Sequence, residues 1–121
     1  MADELNWLSA REMVRRFAEG RVSPVDVLEA TLARLHAVNP VLNAICLLDE
    51  PRGRRMAAES AERWRSGTPL GPLDGVPVAI KDTAHVAGWP TRFGSHATSA
   101  APSTEDTPGV ARLREAGAVF F

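Results

Sequence analysis

The 121 residues are 45% apolar, and 14 basic side chains nearly balance 15 acidic ones, for a net charge of −1 at pH 7. Such a composition suits one globular unit with a core of its own and gives no charge bias toward nucleic acid or an anionic membrane. A single cysteine excludes an intrachain disulfide, no apolar run approaches the ~20 residues of a membrane span, and the polar, acidic start Met1–Trp7 is unlike a signal peptide; the expected location is the cytoplasm.

Ser9 and Glu12 stand at capping-box spacing, with Leu8 placed to staple onto Met13. They announce a first helix with an apolar face of Met13, Val14 and Phe17, ended by Gly20. Ser23, Pro24 and Asp26 start a second helix in the same way. Val25, Leu28, Leu32 and Leu35 form its buried stripe, and Asn39-Pro40 is expected to close it. The short linker between the two helices predicts an antiparallel pair. Leu42–Leu48 reads as a short strand or extended segment, with Cys46 as a small buried hydrophobe. A third helix is expected over Pro51–Arg65, with a thin apolar side of Ala57, Ala61 and Trp64.

The texture then changes. Thr68–Gly75 is rich in glycine and proline and reads as loop. Val76–Lys81 is a β-type run. Residues 82–103 show no helical period and should form a long irregular loop, a kind of segment often kept for function. A last helix begins near Thr107-Pro108, uses Val110 and Leu113, and ends at Gly117. Ala118–Phe121 starts an apolar strand, which leaves unpaired backbone groups for another chain to find and predicts poor solubility. The expected fold class is α/β: a helical segment, residues 1–66, followed by the start of a mixed-sheet core, residues 67–121.

Lys81 is the only lysine among the 14 basic residues. Alternation along a strand puts Val76, Val78 and Ile80 on one face and Pro77, Ala79 and Lys81 on the other. The small Ala79 leaves space beside the lysine, which emerges at the strand's C-terminal end, where α/β sheets often carry functional groups. The amine there is a solvated charge, an ion-pair partner or a proton acceptor. The last role requires a neutral amine, yet the ordinary pKa is about 10.4. Burial disfavours the ammonium and lowers that value, after which the amine can deprotonate a serine hydroxyl. Asp82 points to the opposite face and is expected to bind backbone N–H groups rather than the ammonium.

The segment Gly71-Pro72-Leu73-Asp74-Gly75-Val76-Pro77-Val78-Ala79-Ile80-Lys81-Asp82 resembles the lysine strand of the amidase-signature family. Leu8-Ser9-Ala10, Ser23-Pro24-Val25-Asp26-Val27-Leu28, Asn39-Pro40-Val41-Leu42-Asn43-Ala44, Val86-Ala87-Gly88-Trp89-Pro90-Thr91 with Gly94-Ser95, and Ala111–Val119 resemble further stretches of that family, in its order. The resemblance implies an amidase-type fold, truncated here, and cleavage of carbon–nitrogen bonds in carboxamides by a serine, a second serine in a cis peptide and a lysine. By the motif match the lysine is Lys81. It implies no cofactor and no metal, a small-molecule amide as substrate, and a homodimer or amidotransferase subunits as partners. Only 40 residues follow Lys81, and none forms the family's Gly- and Ser-rich segment. Ser95, Ser99 and Ser103 lie in loop-like sequence, where hydroxyls mostly form turns. The chain is therefore expected to be a fragment that does not hydrolyse amides by itself.

Other chemistry-bearing residues have plainer readings. His36 falls on the exposed side of the second helix. His85 and His96 are spaced unlike common metal ligands. Trp7, Trp64 and Trp89 are packing residues, with Trp89 also able to border a pocket. Arg52, Arg54 and Arg55 read as a solvated cluster. Three other readings stay open beside the amidase hydrolase: a non-catalytic helical binding or assembly module, an unrelated small α/β structural domain with a surface lysine, and the A-type component of a tRNA-dependent amidotransferase.

Overall fold

In the computed structural model, which describes residues 2–121 and so leaves Met1 of the polar start outside the described residues, helices α1 (Ala2–Leu5), α2 (Ala10–Ala18), α3 (Pro24–Leu42) and α4 (Glu50–Arg65) come first. Strand β1 (Pro77–Val78), helix α5 (Pro108–Glu115) and strand β2 (Val119–Phe120) follow. The architecture is thus mixed, mostly helical with a small sheet. Ser9 Oγ accepts from Glu12 N at 3.2 Å, satisfying an orphan donor of α2. The Glu12 carboxylate does not complete the box but takes Arg15 and Arg16 instead. At α3 the box is complete: Ser23 and Asp26 exchange hydrogen bonds at 2.9 and 3.1 Å.

Asn39-Pro40 does not close this helix. α3 runs through Pro40 to Leu42 and ends on Asn43, which takes a left-handed conformation at φ 49°. The proline lies in the last turn, where it forfeits the bond of its own missing N–H but only two helical residues follow it. Asn39 organises the exit: its Oδ1 accepts from Ala44 N and Ile45 N, both at 2.9 Å, and its Nδ2 donates to Ile45 O at 3.1 Å. Those bonds occupy backbone groups that a strand would need. Residues 43–49 are accordingly without regular structure, so that of the two expectations, strand or extended segment, no strand forms, and Cys46 is exposed rather than buried.

The most extensive helix–helix contact joins α3 to α4, not α2 to α3 as the short linker suggested. Leu28 and Leu32 of α3 meet Ala57 of α4 together with Val119 and Phe121. α2 docks through Phe17, whose ring centre lies 6.2 Å from that of Trp64 on α4. Trp7, expected to pack, is 77% exposed; α1, which precedes it, is a four-residue turn that the sequence did not announce.

β1 and β2 pair in parallel, Pro77 opposite Val119 and Val78 opposite Phe120. The run Val76–Lys81 is therefore a strand over two residues only. The expected alternation persists beyond the paired part: Val78 and Ile80 pack on a cluster of Val86, Val110, Ala118 and Phe120, whereas Ala79 and Lys81 are exposed. The sheet is anchored from below by Asp74, which is fully buried. Its carboxylate accepts from Ser60 Oγ at 2.6 Å, from Arg63 at 2.7 and 2.8 Å, and from Leu70 N at 2.7 Å. Trp64 Nε1 donates to its carbonyl at 3.1 Å. Gly117, at φ 90°, passes so close that a Cβ there would lie 2.6 Å from Asp74 Cα.

Residues 82–103 form turns, with a parallel bridge between Ala87 and Ser103 and further hydrogen bonds within the loop. Asp106 ties this loop to α5, accepting from Ala87 N at 2.8 Å and from Arg114 at 2.6 and 2.8 Å. Among the described residues, no helix is long and apolar enough to cross a membrane.

Candidate functional site

Where β1 leaves the sheet, the chain borders a cleft of about 260 Å³. Its lining includes residues 44–47, Ala79, Ile80, Lys81, Asp82, Trp89 and Phe121. Lys81 stands on the exposed face of this rim. Its ammonium makes no hydrogen bond or ion pair with the described residues. Asp82 does not engage it. That carboxylate accepts from Arg92 N at 2.8 Å and from Gly94 N at 3.0 Å, and these backbone donors hold its pKa below the usual carboxylate range.

The cleft offers no hydroxyl to such a base. Ser95 and Ser99 accept from Ala97 N and Ala101 N, each at 3.1 Å, in turns of their own. Ser103 lies 3.1 Å from His85 Nδ1, which also meets Thr91 Oγ1 at 3.0 Å. None of these serines lines the cleft. Cys46 does, with its thiol exposed. His36 is exposed on α3 and contacts Glu50 at 2.6 Å, and His96 is exposed in the loop.

The basic cluster is not uniformly solvated. Arg54 pairs with Glu29 at 2.7 Å and with Glu50 at 2.8 Å, and Arg55 is exposed. Arg52 instead turns inward. Its guanidinium sits 4.8 Å from the centre of the Trp89 ring and donates to Ala87 O at 3.0 Å. Burial, followed by the nearby Arg114 charge, pushes its pKa below the ordinary arginine value. On the other side, Trp89 Nε1 donates to Asp49 Oδ2 at 2.8 Å, while Asp49 Oδ1 caps α4 by accepting from Arg52 N at 3.1 Å. Sequence reasoning passed over Asp49. Its signal was present in Asp49-Glu50-Pro51, a cap residue shortly before a proline in the first turn.

Known proteins resemble this chain in sequence and in fold. The family described as Amidase matches residues 26–121. An acylamidase of Rhodococcus erythropolis is 43% identical over 117 residues, covering 97% of this chain and 24% of that protein. The A-type component of the glutamyl-tRNA(Gln) amidotransferase of Carboxydothermus hydrogenoformans is 39% identical, again over 97% of this chain and 24% of that protein. Among solved structures, native peptide amidase from Stenotrophomonas maltophilia superposes with a TM-score of 0.90 at 30% identity, over 98% of this chain and 25% of that one. The chain spans about a quarter of the length of the relatives it matches.

Proposed function

The chain belongs to the amidase-signature family, and from that premise we propose that it supplies the lysine-bearing part of a cytoplasmic hydrolase acting on the carbon–nitrogen bond of small carboxamides. Lys81 is the terminal base of a Ser-cisSer-Lys relay whose two serines come from sequence outside these 121 residues. The observation that carries the proposal is the position of Lys81: within the matched segment, on the rim of a cleft, with no carboxylate bound to it. A base at neutral pH needs its ammonium desolvated, and in this chain the amine is open to solvent. The missing cover comes, in this proposal, from the part of the enzyme that brings the serines.

The test uses the polypeptide that joins this chain to the serine segment, with a para-nitroanilide as substrate. Lys81→Met should lower turnover by about 10²–10⁴-fold, the usual contribution of a positioned base. Turnover at the unsubstituted rate would overturn the assignment. The 121-residue chain alone should release no nitroaniline. A second reading, the A-type component of an amidotransferase, is favoured by the 39% identity to such a protein. It predicts release of ammonia from glutamine that depends on added partner subunits.

A further inference from the structure

The cleft beside Lys81 is walled by two segments far apart in sequence, residues 44–47 and the loop carrying Trp89. Neither is in regular secondary structure. Left to themselves, two irregular segments would hold no fixed separation. What ties one to the other is the first turn of α4. Asp49 follows the first segment closely, and its Oδ2 receives the Trp89 indole N–H at 2.8 Å. Arg52, three residues on, lies over the same ring at 4.8 Å and binds the loop backbone at Ala87 O. The two oxygens of Asp49 have separate tasks, one capping the helix and one holding the indole. Trp89 is thereby gripped at its edge and its face while it still lines the cleft.

We propose that Asp49 and Arg52 are positioning residues that fix Trp89 as a wall of the Lys81 cleft, and that this clamp sets the size of acyl group the site admits. The inference rests on the amidase reading above and extends it to substrate choice. Rigid support of a binding wall acts on which substrates fit more than on the reacting atoms. An aromatic wall held at both edge and face resists displacement by a long acyl chain, whereas a released indole yields to it.

The experiment uses the complete enzyme and two probes, the para-nitroanilides of acetate and of octanoate. Asp49→Ser keeps a capping oxygen for α4 but is too short and too singly occupied to hold the indole as well. Trp89→Phe removes the indole N–H and leaves the cap untouched. Each variant should raise the octanoyl-to-acetyl ratio of kcat/KM by roughly 3- to 10-fold, the weight of one hydrogen bond, with the change carried by KM. The double variant should shift the ratio no further than either single one, because both remove the same bond. A merely structural role of Asp49 in helix capping would leave Trp89→Phe without effect on the ratio. An unchanged ratio in both single variants, or shifts that add in the double, overturns the proposal. Lys81→Met serves as the separating control: unimpaired turnover in that variant refutes the role of Lys81 as base, and absence of anilide cleavage by the unsubstituted enzyme refutes the amidase reading, whereas lost turnover in Lys81→Met with an unmoved ratio in the clamp variants refutes the clamp alone.

Discussion

Replacing Asp74 by alanine should be among the most damaging single changes in this chain. The carboxylate is fully buried, whereas the Arg63 side chain facing it is 24% exposed. Burial by itself would raise the carboxyl's pKa, but Arg63, Ser60 and Leu70 N together hold it below the usual range, so the group is charged and fully bonded when folded. Breaking such a pair from one side costs about 3–5 kcal/mol. Arg63 can recover some hydration, and Leu70, 58% exposed, can do the same for its N–H. Ser60 is fully buried and cannot, which adds a penalty of ~1–3 kcal/mol that overlaps with the first. A net loss of about 3–4 kcal/mol follows, equivalent to ~12 °C in Tm for a chain of this size. Urea unfolding followed by tryptophan fluorescence measures it, with Trp64 reporting directly because its indole is bonded to the Asp74 carbonyl. Arg63→Leu should be far less costly in the Asp74→Ala background than alone. A loss below ~1 kcal/mol for Asp74→Ala, or additive effects of the two substitutions, would refute the reasoning.

Two further expectations concern the same framework. Gly117→Ala should destabilise the fold by at least ~2 kcal/mol, since φ is 90° and the new methyl would overlap Asp74. Gly109→Ala, in α5 with nothing within 4 Å of the new atom, should stabilise it by roughly 0.5 kcal/mol; equal melting temperatures for the two variants would contradict both. Arg114 foremost, with the Ala87 N–H and the Arg52 charge and against the effect of burial, holds the Asp106 pKa down from 3.8 to about 2. A carboxyl depressed in the folded state contributes stability above its unfolded value and loses it as pH falls through the folded one. Thermal melts should therefore drop between about pH 4 and pH 2. Arg114→Met should melt lower at neutral pH and show a flatter slope across that acid window; an unchanged slope would remove Asp106 from the account.

What the sequence disclosed depended on how local the deciding interaction was. Ser9 and Ser23 mark helix starts because a cap and its donor lie within one turn, and Thr107-Pro108 marks one through the proline in the first turn, the Thr107 side chain making no capping bond. The alternation that leaves Lys81 exposed and Val78 and Ile80 inward is likewise a property of neighbouring residues. The end of α3 was misjudged because Pro40 is a strong stop signal only when the helix has a full turn still to make, and the true terminator is the side chain of Asn39 reaching forward to Ala44 and Ile45. Asp74 looked like one more turn residue. Its partners Ser60 and Arg63 belong to α4, and no periodicity connects them to it. The inward turn of Arg52 was invisible for the same reason: its partner, Trp89, stands in a loop whose path only the folded chain defines.

The parallel pairing of β1 with β2 carries a consequence for synthesis. Pro77 and Val119 become neighbours only after the loop and α5 have both been made. On the ribosome, the segment bearing Lys81 therefore emerges without its β partner and waits while the crossover is translated. Late closure of this kind slows folding and prolongs the exposure of an apolar edge. Chaperone demand arising from this pair should accordingly be greatest between the emergence of residue 78 and that of residue 120, where β2 ends.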